Sequence, residues 1–80
     1  MTKTIVYGTG MCVWCEKLKE FLKENKVEFE YKDVGQDSEA AKEMVDKSGQ
    51  MGVPVTDIDG KIIIGFDEYK IRELLDIKNE

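Results

Sequence analysis

Cys12 and Cys15 are the only two cysteines in this chain of 80 residues, and they stand as Cys12-Val13-Trp14-Cys15, where an apolar strand hands over to an amphipathic helical pattern. A helix beginning at Cys12 would aim its unpaired backbone N–H groups and its positive dipole end at that sulfur, favouring thiolate over thiol. The thiolate is the form that attacks disulfides. Cys15, three positions on and one turn along the same helix face, could reach the first sulfur and expel whatever is attached to it. The chemistry to which this spacing points is thiol–disulfide exchange. A structural disulfide or half a metal site are the alternatives. A bridge closing so short a loop would stabilise by only about 2 kcal/mol. A closed zinc site wants four ligands, whereas two cysteines and no histidine are present, so metal would have to be shared between chains or with a small thiol. The missing histidine also removes imidazole acid–base catalysis and the Cys/His proteases.

Periodicity supplies the elements that must position the pair. Thr4 to Tyr7 is a short β-prone run ended by Gly8-Thr9-Gly10, and the helix that follows repeats apolar residues at Trp14, Leu18, Phe21 and Leu22. Lys17, Lys19, Glu20, Lys23 and Glu24 cover its solvated side, and Asn25 and Lys26 close it. Val27 to Val34 alternates apolar Val27, Phe29 and Tyr31 with charge, as a half-buried strand does. Gly35 turns the chain, and Asp37 or Ser38 can cap a second helix with Ala41, Met44 and Val45 facing inward, stopping at Ser48-Gly49. Val53 to Ile58 and Lys61 to Ile64 form a hairpin across Asp59-Gly60. Asp67 can cap the last helix, whose core face is Ile71, Leu74 and Leu75. The order β-α-β-α-β-β-α makes the class α/β. A right-handed parallel crossover and an antiparallel hairpin give a mixed four-stranded sheet with three helices on its faces. Ligands of such sheets gather beyond the carboxyl ends of the parallel strands, where Gly8 to Cys12 emerges.

Composition bounds the rest. Residues 1–80 make a single domain with room for a modest core, and 41% of the residues are apolar. The net charge of −5 argues against a nucleic-acid partner, because phosphate binding needs a basic footprint. No stretch reaches membrane-spanning length. No signal peptide is visible, so the cysteines are expected to be kept reduced in the cytoplasm and to act transiently.

Three segments together carry a resemblance: Cys12-Val13-Trp14-Cys15 after the first strand, Met51-Gly52-Val53-Pro54 before the third, and Gly65-Phe66-Asp67 opening the last helix. The chain resembles the glutaredoxin family of the thioredoxin superfamily over essentially its whole length, and is most similar to short bacterial glutaredoxin-like proteins. The resemblance implies a thioredoxin-like fold and a glutathione-dependent thiol–disulfide oxidoreductase, with Cys12 as nucleophile and Cys15 as buried resolving cysteine. It also implies a cis Val53-Pro54 bond whose valine backbone meets the glutathione cysteine, the alternative being a trans proline at a strand entrance. Gly65, Phe66 and Asp67 would take the γ-glutamyl end, although Asp67 also reads as a plain N-cap. Thr9 and Trp14 would complete the glutathione contacts. Thr9 stands where relatives often carry lysine and Gln50 where they often carry arginine, so two cations are missing. Ile64 stands where the first of two glycines is usual. Val13 replaces the proline of the common CPYC motif, and its retained N–H is expected to turn toward the Cys12 sulfur. Met11, Trp14, Met51 and Phe66 would ring the site as an apolar platform or pack together.

The partners implied are glutathione, glutathionylated or disulfide-containing proteins, and a glutathione reductase or thioredoxin reductase system, served by a monomer without metal. Two other readings of the same residues are a dithiol donor recharged by thioredoxin reductase, for example to ribonucleotide reductase, and an iron–sulfur carrier using Cys12 from two chains with two glutathiones.

Overall fold

Five consecutive buried residues, Thr4–Gly8, form β1, the strand around which everything else is arranged. A computed structural model describes residues 3–77. The remaining elements are α1 (Val13–Glu24), β2 (Glu30–Asp33), α2 (Ser38–Ser48), β3 (Val55–Ile58), β4 (Lys61–Ile64) and α3 (Glu68–Leu75). The sheet runs β2-β1-β3-β4, with β2 parallel to β1 and the other two pairings antiparallel. The mixed four-stranded sheet, the three helices and their order are those read from the sequence. A strand paired on both edges and covered on both faces must be apolar throughout, which is why β1 reads as a continuous run.

Alternation along β1 divides the core. Val6 points into a cluster with Leu18 and Leu22 of α1, Ile58 and Ile63 of the hairpin and Ile71 of α3. Ile5 and Tyr7 point the other way, to Val55 and Met44 of α2. Helices α1 and α3 therefore cover one face and α2 the other. Each fully buried leucine or isoleucine contributes roughly 1.5 to 3 kcal/mol. None of the helices among the described residues is long and apolar enough to cross a membrane.

Three elements differ from the sequence expectation. β3 starts at Val55, not Val53, because Pro54 has no N–H to give the ladder and Val53-Pro54 forms the loop before the strand. β2 starts at Glu30, not Val27, because α1 ends in a left-handed residue, Lys26 at φ 56°, with Lys26 N–H donating to Lys23 O and Val27 N–H to Leu22 O. Val27 and Phe29 are spent on leaving the helix, and their apolar alternation is satisfied by packing on the α1/α3 cluster. In α2 the fully buried positions are Ala40 and Met44, one helical turn apart, while Ala41 is only half-buried. The Asp37 carboxylate caps that helix by accepting from Glu39 N–H and Ala40 N–H, and left-handed Gly49 ends it. Asp59 and Gly60, both at positive φ, make the tight turn of the hairpin.

Charge also fastens α2 to the sheet. Tyr7 O–H donates to Glu43, Lys32 Nζ donates to Glu43 Oε1 at 3.0 Å, and Lys47 Nζ donates to Tyr7 Oη at 2.8 Å and to Asp57 Oδ2 at 2.6 Å. The bonds from Tyr7 and Lys32 hold Glu43 down at about 2. Burial works against the Lys47 ammonium, but its bonds to Asp57 and Tyr7 outweigh this and raise its pKa.

Candidate active site

The sheet delivers the two sulfurs to one end of β1 in unequal settings. Cys12 is the N-cap of α1 and is partly exposed; Cys15, in the first turn, is completely buried. The backbone N–H of Cys15 donates to Cys12 Sγ at 3.1 Å. The amide brought to the sulfur is thus that of Cys15 rather than Val13, because an N-cap side chain accepts from the residues two or three positions on. Burial pushes the Cys15 thiol up to about 11, reinforced by its hydrogen bond with Cys12, while a hydrogen bond from the Thr9 backbone and the charge of Lys19 pull the other way. One sulfur faces solvent at a helix start, and the other is held protonated beneath it.

Room for the buried sulfur comes from Gly8. A Cβ at that position would lie 2.8 Å from Cys15 Sγ, closer than side chains tolerate, and 3.1 Å from the Tyr31 hydroxyl, a tight contact. The sequence marked Gly8 only as the end of a strand; β-strand glycines can signal such close approach, but not which atom approaches.

Trp14, between the two cysteines, lines a groove of about 260 Å³ together with Val53, Pro54, Gly65 and Phe66, five of the seven residues expected to contact glutathione. The Val53-Pro54 bond is cis, and Gly65 N–H donates to Pro54 O at 2.8 Å, tying the two loops that form the groove's walls. Phe66 meets Trp14 with ring centroids 6.4 Å apart and Phe21 edge-on at 5.6 Å. Asp67 is the N-cap of α3, accepting from Lys70 N–H at 3.1 Å, and does not line the groove. Thr9 does not line it either; its methyl points toward the Gly35 turn. Of the expected apolar platform, Met11 is 96% exposed, Met51 80% and Trp14 57%, so these three do not simply pack together.

In the sequence Gln50 stands only as a missing cation; the structure gives it a role. It braces the loop before the cis bond: its Oε1 accepts from Gly52 N–H at 2.6 Å and its Nε2 donates to Gly52 O at 3.0 Å. A glutamine two residues before a glycine is the only trace of this in the sequence, too common to have singled it out. Lys17, read as part of the solvated face, holds its ammonium 4.9 Å from the centre of the Trp14 ring.

A dithiol at a helix start, facing a cis-proline loop across an α/β sheet, defines the thioredoxin-like class of redox protein. Within that class, the family model for glutaredoxin matches residues 4–63, and the chain belongs to the glutaredoxin family. It is 42% identical over 71 residues to an uncharacterized glutaredoxin-like 8.6 kDa protein in the rubredoxin operon of Clostridium pasteurianum, covering 89% of this chain and 95% of that one. Among solved structures, glutaredoxin from Archaeoglobus fulgidus superposes with a TM-score of 0.85 at 29% identity, covering 94% of this chain and 87% of that one. Methanoredoxin from Methanosarcina acetivorans also gives 0.85, at 37% identity and with 91% and 83% covered.

Proposed function

We propose that this chain is a glutathione-dependent thiol–disulfide oxidoreductase that reduces protein–glutathione mixed disulfides and protein disulfides. The observation that carries the reading is the apolar groove walled by Trp14, which lies between the two cysteines, by the cis Val53-Pro54 loop and by Gly65-Phe66. A glutathionyl group laid in it would pair with the Val53 backbone and place its sulfur against Cys12. The α3 N-terminus with Asp67 would receive the γ-glutamyl end, and Lys17 over Trp14 offers a cation at the rim where Thr9 and Gln50 do not. The Cys12 thiolate attacks the glutathione sulfur, the protein thiol leaves with a proton, and glutathione stays on Cys12. A second glutathione then attacks the mixed disulfide, giving glutathione disulfide and free Cys12. On a protein disulfide, Cys15 instead attacks the mixed disulfide on Cys12, releasing the substrate as a dithiol and leaving a Cys12–Cys15 bridge, which two glutathiones then reduce with release of glutathione disulfide.

The uncharged lining of the groove favours a second reading, a dithiol donor recharged by thioredoxin reductase, in which the groove receives a partner's loop. Turnover of a glutathionylated peptide with NADPH separates the two, supplied either with glutathione and glutathione reductase or with thioredoxin reductase alone. Turnover only with glutathione, surviving Cys15→Ser, supports the first reading. Turnover of a disulfide substrate only through thioredoxin reductase, abolished by Cys15→Ser, replaces it with the second.

A further inference from the structure

Beneath the cysteines, the phenolic oxygen of Tyr31 is buried without a hydrogen-bond partner among the described residues. Tyr31 lies on β2 opposite Val6, and its ring packs on the α1/α3 cluster. The Gly8 geometry places its oxygen beside Cys15: a single carbon added to Gly8 would touch both Cys15 Sγ and Tyr31 Oη, so the two atoms border the same small space. Lys19 Nζ sits 4.2 Å from the centre of the Tyr31 ring and is held there by Glu16 Oε2 at 2.7 Å. An unpaired buried hydroxyl destabilises the resting fold, whereas the same hydroxyl facing a buried thiolate would make a charge-assisted bond, about twice as strong as a neutral one.

We propose that Tyr31 donates its O–H to the Cys15 sulfur when that sulfur becomes a thiolate, assisting the step in which Cys15 resolves a mixed disulfide on Cys12. This rests on the dithiol chemistry proposed above. In that step the Cys15–Cys12 S–S bond forms and the bond between Cys12 and the substrate sulfur breaks. The electron pair goes to the substrate sulfur, which takes up the proton that Cys15 gives up; the protein dithiol is oxidised and the substrate disulfide is reduced. The charged or titratable groups around Cys15 are Cys12 and Lys19 on α1, with Glu16 on Lys19, and Tyr31 on β2 with Asp33 nearby; the Thr9 backbone adds a hydrogen bond. Burial raises the Tyr31 pKa, so the phenol keeps its proton and acts as a donor rather than as a base. The Lys19 ammonium over the ring polarises that O–H further.

Stopped-flow reaction with 5,5′-dithiobis(2-nitrobenzoate) reads the step directly. A reagent-dependent first phase loads Cys12 and releases one thionitrobenzoate; a reagent-independent second phase, absent in Cys15→Ser, releases the next as Cys15 attacks. With Tyr31→Phe, the first phase should be unchanged, and the second about tenfold slower, its pH midpoint about one unit higher. The melting temperature should hold or rise, since the oxygen removed bonds nothing in the resting fold. A second phase with the wild-type rate and midpoint overturns the proposal. So does slowing of both phases with a lowered melting temperature, which would make Tyr31 a packing residue. A wild type without two phases is a different failure, because it removes the dithiol reading itself.

Discussion

Burial separates two sulfurs of identical chemistry only three residues apart. Cys15 is pinned inside by Leu18 and Leu22 on its own helix face, all three completely buried, while Cys12, nearly one turn earlier at the cap, stays partly exposed. With its pKa raised to about 11 in the fold against an ordinary value of 9.0, the Cys15 thiol contributes stability that is complete below about 9 and is lost as pH rises through about 11. Under reducing conditions, the difference in urea-unfolding free energy between wild type and Cys15→Ala should therefore narrow as pH climbs across that window. A difference constant with pH would mean that Cys15 titrates as freely in the fold as in the unfolded chain. Gly8 serves the same burial. Gly8→Ala would force the 2.8 Å approach to Cys15 Sγ, and overpacking of this kind costs about 1 to 3 kcal/mol. In a domain of this size that lowers the melting temperature by roughly 4 to 8 °C for each kcal/mol. Adding Cys15→Ala should recover part of the loss; no recovery would place the strain elsewhere.

At the scale of elements, α2 is held differently from α1. Helix α1 buries Leu18 and Leu22 in an apolar cluster, whereas α2 buries Ala40 and Met44 and fastens itself through Glu43 and Lys47. Lys47 matters most because Asp57, on β3, has a side chain only 11% exposed. Lys47→Met should cost about 1 to 3 kcal/mol, chiefly by leaving that carboxylate buried with Gly60 N–H as its remaining partner. Asp57→Asn introduced alongside should recover most of the loss by removing the uncompensated charge. A double variant no more stable than the single would show that the ion pair is not what anchors the helix. None of this anchoring was legible beforehand: Lys47 reads as one more charge on a solvated face, and its partner lies on another element. What was legible is local. The cysteine spacing, the Asp59-Gly60 turn, the Gly49 helix end and the Asp37 and Asp67 caps depend on one residue's own geometry, and each stands where its residue type puts it. The late start of β2, the inward phase of α2, the Gln50 brace and the meeting of Gly8, Cys15 and Tyr31 depend on packing between segments, which alternation along one segment does not specify.

The whole molecule is therefore a sheet with unequal covers. The α1/α3 side has a buried cluster of six residues; the α2 side has four and relies on charge to complete its hold. That charge is sensitive to acid in a definite direction. Glu43 is depressed from 4.5 to about 2 by Tyr7 and Lys32, so its contribution is complete above about 4.5 and is lost as pH falls toward about 2. Its side chain is 39% exposed, so solvent screens part of the effect and the loss should be a loosening of α2 rather than collapse of the sheet. Native-state hydrogen exchange resolves this, because opening free energies are read residue by residue. Between pH 6 and pH 3, protection corrected for the intrinsic rate should fall at Met44 and Val45 of α2 while Leu18 and Leu22 of α1 keep theirs. Glu43→Gln should show the weakened α2 already at pH 6 and little further change on acidification. Equal loss along α1 and α2 would mean that the two covers open as one unit, and that the smaller cluster on the α2 face is not the weaker side of the fold.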